Sequence, residues 1–433
     1  MKRTWVIVFG DLISFLISFG FLVFIRFKPE SYSEAINIHI IPFALLYLAW
    51  MIIFYIFGLY DLLNIKPNIP YLKKWILALI TSFIVGMLLF YFIPIFGIAP
   101  KINLIIQVLG FGITSFIIRR FIYNLFAKTI SQPVIFVGNS TPLIELKTII
   151  NNNPQIGLKV FAHYQDVHEL NKTDLKNITI ILDKKSEILD KNILNLYTHG
   201  TEILDTAKAY EKYLYKIPVE YIDINFIIEN INLKKDIFYK FVTYLLNIIF
   251  AIIVLVVTSP IMFIAIAARL LEDGRPIFIK QKRVGLNGKN FNLYKLRSMI
   301  VLSKDGSAET KDAVWSTGKD DTRITPVGKI LRKTHIDEIP QMINILKGDI
   351  TLVGPRPERP EFVEVLEKEI PYYSFRHIIK PGFTGWAQIK YRYANTTESS
   401  REKFEYDLYY IKNRNIFIDI GIIIRTIQII FTH

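Results

Sequence analysis

The sequence predicts a membrane α+β protein. It has four N-terminal transmembrane helices within residues 1–130, a small Rossmann-like α/β module over 131–225, and a mixed domain over 237–433. That last domain opens on a long apolar helix broken at Ser259-Pro260. Three observations predict this. Of 433 residues 52% are hydrophobic, and the mean hydropathy of +0.33 exceeds that of ordinary soluble enzymes. Four apolar runs of span length precede residue 130. Beyond it, short apolar runs alternate with helical patterns until a second long oily stretch begins at 241.

The four runs cover roughly 5–27, 41–60, 75–98 and 102–122, each near the ~20 residues that cross ~30 Å of hydrocarbon. The first starts with a basic residue pair like a secretory signal, but its apolar part is long and no small-residue cleavage site follows, so it reads as a retained span. Lys2 and Arg3, then Lys66, Lys73 and Lys74, then Arg119, Arg120 and Lys128 mark the cytoplasmic ends. Arg26 and Lys28 on the first outer loop run against that rule. Even parity leaves the rest of the chain in the cytoplasm.

From 131 the strands VIFVG (134–138), LKVFAHY and ITIILD (178–183) alternate with the helical segments PLIELKTIINNN and SEILDKNILNLYTHG, the pattern of a small parallel sheet. The first turn, VGNSTP, has one glycine where a dinucleotide site shows G-x-G-x-x-G, so a structural or regulatory module fits better than a cofactor site. Zero cysteines exclude disulfides and thiolate chemistry. A net charge of +14 suits an anionic membrane surface, and no nucleic-acid-binding pattern accompanies it.

Residues 241–271 number 31, about 45 Å if helical, more than one perpendicular crossing needs. Pro260 removes a helix hydrogen bond. Two forms fit the residues: a proline-kinked span, or a helix that bends at Ser259-Pro260 and returns to the face it entered, with the serine hydroxyl covering the freed carbonyl. In the second, Lys235, Lys240, Arg269 and Arg275 snorkel on one leaflet.

Downstream, Asp337-Glu338-Ile339-Pro340 places a carboxylate pair before the segment EIPQMINILKG, with Gly348 as its stop. Asp337 fits both a plain helix N-cap and a nucleophile kept ionised by the helix end. Adjacent acids can also divide labour between attack on phosphorus and Mg²⁺ binding. Lys295 and Arg297, two apart in YKLRSM, would share a strand face, and Arg332 lies five residues before Asp337. Arg356, stiffened between Pro355 and Pro357, suits a bidentate grip on a diphosphate, or simply a rigid turn. His335 and His377 lack zinc-ligand spacing and read as structural. In KPGFTGWAQ, Pro381, Gly382, Gly385 and Trp386 form a turn with an aromatic anchor. Residues 272–433 carry 27 Lys and Arg against 20 Asp and Glu, and the tail 416–431 reads as interfacial.

The blocks GRPIFIKQKRVGLNGKNFNLYKLRSM, LRKTHIDEIPQMINILKGDITLVGPRPERPEF and KPGFTGWAQI, in this order after a Ser-Pro apolar helix, resemble the bacterial sugar transferase family, the monotopic phosphoglycosyl transferases. The resemblance runs over 237–433. Four spans and a degenerate Rossmann-like module ahead of it resemble the long form, the undecaprenyl-phosphate galactose or glucose phosphotransferases. It implies a re-entrant helix over 237–271 and a catalytic domain on the cytoplasmic face of the inner membrane. It implies transfer of a hexose 1-phosphate from a UDP-sugar to undecaprenyl phosphate with release of UMP, the opening step of exopolysaccharide, capsule or O-antigen assembly. Carried over residue by residue, Asp337 forms the covalent phosphosugar and Glu338 holds Mg²⁺. Lys295, Arg297, Arg332 and Arg356 are the substrate-binding cations.

Two departures touch the helix entry and exit: Tyr239-Lys240-Phe241-Val242 replaces a Lys-Arg pair, and Gly274-Arg275-Pro276 replaces Gly-Pro. A membrane nucleotide-sugar dehydratase is excluded, since none of the 23 tyrosines has lysine four residues later. The alternative function is a non-catalytic envelope polysaccharide assembly or sensor protein. The amino-terminal modules offer surface for a homodimer.

Overall fold

The computed structural model describes residues 2–92, 101–129, 131–172, 178–183, 196–198, 200–231, 237–300, 323–391 and 396–431. The basic patch at Lys234 and Lys235, the end of the third apolar run and most of the helix expected over 186–200 lie outside them. The chain divides into two compact units, Met1–Ala209 and Tyr210–His433.

In the first unit, α1 (Lys2–Arg26), α2 (Tyr32–Ile56), α3 (Ile69–Phe92) and α4 (Lys101–Asn124) are the four apolar helices. All four are long and apolar enough to cross a membrane, as is Ile237–Asp273 in the second unit. α1 packs along α4 because small residues line the contact. A Cβ on Gly10 would meet Ile122 at 2.8 Å, and one on Gly110 would meet Ser18 at 3.1 Å. Phe15, Phe43, Trp50, Phe54 and Phe111 fill the middle.

Two cations read from sequence as flanking charges take inward partners. Arg119 is buried and paired with Asp11, and its Nη1 donates to the Leu59 carbonyl at 2.8 Å. Arg26 donates from Nε to Asn103 Oδ1 at 3.1 Å. Arg119 is satisfied inside the bundle, as a charged group in an apolar medium must be, whereas Arg26 is exposed at the end of α1 and keeps its charge there.

The α/β module is a parallel sheet of order β2-β1-β3-β4, with β1 Gln132–Val137, β2 Leu158–Tyr164, β3 Thr179–Leu182 and β4 Glu202–Asp205. The last strand, four residues with acids at both ends, escapes a reading based on apolar runs. At the switch point between β1 and β3, Asp183 Oδ2 accepts the N–H groups of Asn139 and Ser140 at 3.2 and 2.8 Å. Gly138, at φ +118°, lets that carboxylate approach, since a Cβ there would lie 2.3 Å from Asp183. The place where such a sheet offers open N–H groups to a dinucleotide phosphate is thus filled by the chain's own anion.

The second unit begins earlier than the sequence suggests: Ile217, Val219, Ile222 and Phe226 lie in its core with Val284, Val363, Leu366 and Phe404. Its long helix is continuous over Ile237–Asp273, with Pro260 inside it. Ser259-Pro260 therefore does not end one helix and start another. Ser259 Oγ donates to the Val256 carbonyl at 2.7 Å, the oxygen that a residue-260 N–H would have bonded. Arg269, expected to snorkel, is instead fully buried. It pairs with Glu272 and Asp273 and donates to Thr325 Oγ1 at 2.7 Å. β5 (Phe278–Val284) and β6 (Asn290–Leu296) form an antiparallel hairpin; β7 (Thr351–Val353) and β8 (Gly382–Thr384) pair in parallel.

Candidate active site

Four segments converge. The end of β6 carries Lys295. Helix Pro326–Lys333, capped by Thr325, carries Arg332. A 3₁₀ turn, Ile336–Glu338, carries the acid pair. The turn after β7 carries Arg356. His335, at φ +55°, holds the strained residue that reverses the chain into the acid turn.

Asp337 is not the N-cap that its spacing suggests. The chain is already turning at Ile336–Glu338, so helix Gln341–Lys347 begins after Pro340, and no side chain caps it. The C-terminal stop is as read: Gly348 sits at φ +77° and returns its N–H to the Asn344 and Ile345 carbonyls.

Asp337 is 7% exposed. Burial, then the neighbouring Glu338 charge, push its carboxyl up to about 6, against Lys295 and Arg332, which favour the ionised form. Glu338 goes the other way. Burial opposes its charge, but Lys295 Nζ at 2.8 Å and Arg356 Nη2 at 3.0 Å, both on Oε1, outweigh it and hold the carboxyl well below the usual range. Adjacent acids with pKa values driven apart are a recurrent sign of divided roles.

Lys295, Arg332 and Arg356 thus gather at the dyad. Arg297 does not: the strand ends at Leu296, the alternation lapses, and the 2% exposed guanidinium bonds Asp273 Oδ1 at 2.6 Å and the Gly274 carbonyl at 2.8 Å. It braces the helix exit rather than facing the dyad.

The Arg356 turn is held from behind. Arg376 donates from Nη2 to the Arg356 carbonyl and to Asp407 Oδ2, both at 2.9 Å, and from Nη1 to the Tyr373 hydroxyl at 2.6 Å. The Gly354 N–H donates to the Thr384 carbonyl at 2.8 Å, and the Gly382 N–H to the Pro355 carbonyl at 2.9 Å. This backbone contact is so close that a Cβ on Gly382 would lie 2.1 Å from Gly354 N, and one on Gly385 2.2 Å from Gly354 O. KPGFTGW therefore supports the Pro-Arg-Pro turn, and Trp386 anchors it by donating to the Tyr215 carbonyl at 3.0 Å and stacking on Tyr409. Arg376 was not foreseen, because a single cation in an amphipathic segment reads as surface. His377 is buried, and burial pushes its imidazole down to about 4.

No cluster of three metal-ligating side chains occurs among the described residues. A Mg²⁺ ion that draws most of its ligands from phosphates and water needs only one or two carboxylates. Glu338 fits as one of them, since both of its cations sit on Oε1.

The model of the bacterial sugar transferase family matches residues 238–433. An N-acetylgalactosaminephosphotransferase of Aeromonas hydrophila, acting with UDP-N-acetylgalactosamine and undecaprenyl phosphate by its name, is 41% identical over 194 residues, 45% of this chain and 44% of that one. The chain thus spans under half the length of that relative. A UDP-glucose:undecaprenyl-phosphate glucose-1-phosphate transferase of Xanthomonas campestris pv. campestris is 28% identical over 340 residues, 72% of this chain and 69% of that one, so its likeness extends into the first unit. An uncharacterized sugar transferase of Bacillus subtilis is 40% identical over 178 residues, 41% of this chain but 81% of its own length. Since that shorter protein is matched over most of its length, and the family model covers the dyad, the Arg356 turn and the tail, this chain belongs to the bacterial sugar transferase family.

Proposed function

We propose that the second unit transfers a hexose 1-phosphate from a UDP-sugar to undecaprenyl phosphate through an acyl phosphate on Asp337. The observation that carries this is the pair of adjacent carboxyls held in opposite states inside one group of cations. Glu338 is locked ionised, while Asp337 is desolvated and basic for a carboxylate, yet mostly ionised at neutral pH. In the first step Asp337 Oδ attacks the sugar-bearing phosphorus, the phosphoanhydride bond breaks, and UMP leaves with the bond's electrons. In the second, an oxygen of the lipid phosphate displaces Asp337 from the same phosphorus. Arg356 and Lys295 steady the diphosphate, and Arg332 offsets charge at Asp337. Glu338 would help hold Mg²⁺, which would supply neutralisation of the diphosphate charge. Purified protein with Mg²⁺, undecaprenyl phosphate and a panel of UDP-hexoses should release UMP and stop with EDTA. Release of UDP, or turnover by Asp337→Asn, would refute the mechanism.

The same reading places this unit at the cytoplasmic face of the inner membrane, on a helix that enters and leaves the same leaflet. Support comes from where the helix is tied. Near its start Tyr239 donates to Asp419 at 2.8 Å and Asn247 Oδ1 accepts from Leu352 N–H at 2.9 Å; near its end Glu272 accepts from Val327 N–H at 2.9 Å. Both ends are fastened to one globular unit, and the apolar stretch with Val256, Val257, Phe263 and Ile264 exposed lies between them. A helix ending on opposite faces would pull that unit through the bilayer. Because the chain has no cysteine, Lys240→Cys and Arg275→Cys can be labelled singly in sealed vesicles. Reactivity from opposite sides would defeat the proposal.

A further inference from the structure

We propose that the first unit binds the phosphate headgroup of an anionic membrane lipid in a cleft between the cation-rich ends of α3 and α4. The cleft is shallow, enclosing about 10 Å³, so that a headgroup would sit at its open mouth; Pro67, Tyr71, Phe116, Arg119, Arg120 and Tyr123 are among its lining. The cleft belongs to the first unit and the dyad to the second, and the proposal does not rest on the transfer reaction.

One group lining the cleft is unsatisfied. Tyr71 is 5% exposed, and its phenol is buried without a hydrogen-bond partner among the described residues. One turn further along α3, the indole Nε1 of Trp75 is in the same condition. Interfacial tyrosines and tryptophans ordinarily keep their polar ends in water or on headgroups, so two donors shut away on one helix face are anomalous. A buried donor left empty is costly, and an acceptor arriving from outside removes the cost.

The charge of the cleft selects which acceptor. Arg119 is already neutralised by Asp11. Arg120 is not: its guanidinium lies over the Tyr123 ring, 5.7 Å from the centroid, and makes no ion pair among the described residues. A donor hydroxyl beside an uncompensated, forked guanidinium suits a phosphate oxygen pair. The surroundings choose the source. The cleft opens where apolar helix surface, with Leu72, Ile76 and Phe121 exposed, meets Lys66 and Lys73, the depth at which headgroups lie and acyl chains begin.

The test is the melting temperature of the full chain in a neutral detergent, titrated with dihexanoyl phosphatidylglycerol or with inorganic phosphate. Wild type should be stabilised saturably by the lipid. Tyr71→Phe removes only the buried hydroxyl, so without lipid it should melt higher than wild type. With lipid its response should weaken by roughly tenfold in concentration, as one lost charged hydrogen bond requires. Arg120→Gln should show the same weakening. Inorganic phosphate acting as well as the lipid would keep the phosphate site and overturn its lipid source. Equal responses from wild type and both variants, or no saturable response from any, would overturn the site.

Discussion

Asp337→Asn should abolish turnover and at the same time stabilise the protein. Burial and Glu338 raise the Asp337 carboxyl from 3.8 to about 6 in the folded chain. An acid that holds its proton more tightly when folded penalises folding at every pH where it is ionised. The penalty is absent below about 3.8, grows as pH rises to about 6, and is complete above it. At about 1.4 kcal/mol for each tenfold change in proton affinity, the full penalty is roughly 3 kcal/mol. Asparagine, nearly the same shape and uncharged, is free of it. The assay is apparent melting temperature in detergent, wild type against variant, at pH 7.5 and pH 4.5. The variant should lead clearly at the higher pH and lose most of that lead at the lower one. Glu338 stays ionised across this window, so it does not enter the difference. An asparagine variant less stable than wild type by the same margin at both pH values would show that Asp337 is a structural acid whose burial carries no penalty.

Other consequences are as direct. Because Asp337 must be ionised to attack, kcat/KM should fall on the acid side near pH 6. Lys295→Gln, which removes a charge favouring ionisation, should move that limb to higher pH in a pH-rate profile; a limb that stayed or moved down would contradict the pairing. Arg376→Lys keeps a charge beside Asp407 but cannot also hold the Arg356 carbonyl. Loss of a charged hydrogen bond of about 1.5–3 kcal/mol should raise KM for the UDP-sugar by roughly tenfold or more, with kcat less affected. Equal losses in both would make Arg376 part of the reacting group rather than its support. Gly382→Ala should unfold the Arg356 turn or fail to fold, since its Cβ would overlap Gly354 N, and a variant with unaltered KM would refute the backbone brace.

What the sequence made legible were features fixed by local chemistry or by contiguous blocks. The four apolar helices, the parallel strands 134–138 and 178–183 and the glycine stop at 348 follow from hydropathy, period and φ alone. Lys295, Arg332, Arg356, Asp337 and Glu338 came as a set from the order of the blocks, and the fold brings them together. Partnership across long separations was not legible. Arg119 with Asp11, Arg269 with Thr325 and Arg376 with Asp407 are separated by 108, 56 and 31 residues. Each cation looks in sequence like one more solvated charge. Arg297 erred the other way, because the alternation rule holds only while the strand lasts.

The charges at the dyad explain why one acid is tied down and the other is not. Lys295, Arg332 and Arg356 face Glu338 and an ionised Asp337, leaving one positive charge in excess. A sugar nucleotide brings about two negative charges on its diphosphate, which the cations alone cannot balance in a site of low polarity. Were Glu338 free to take up a proton, its two cations would lose their anchor and the site would gain positive charge by letting go of its geometry. With Glu338 fixed between them, the cations keep their places, and the remaining deficit is that of the size a divalent ion shared with the substrate would offset. Asp337 is held less tightly: Lys295 and Arg332 favour its charge, burial opposes it, and in the proposed transfer that balance would leave it both ionised and reactive at neutral pH.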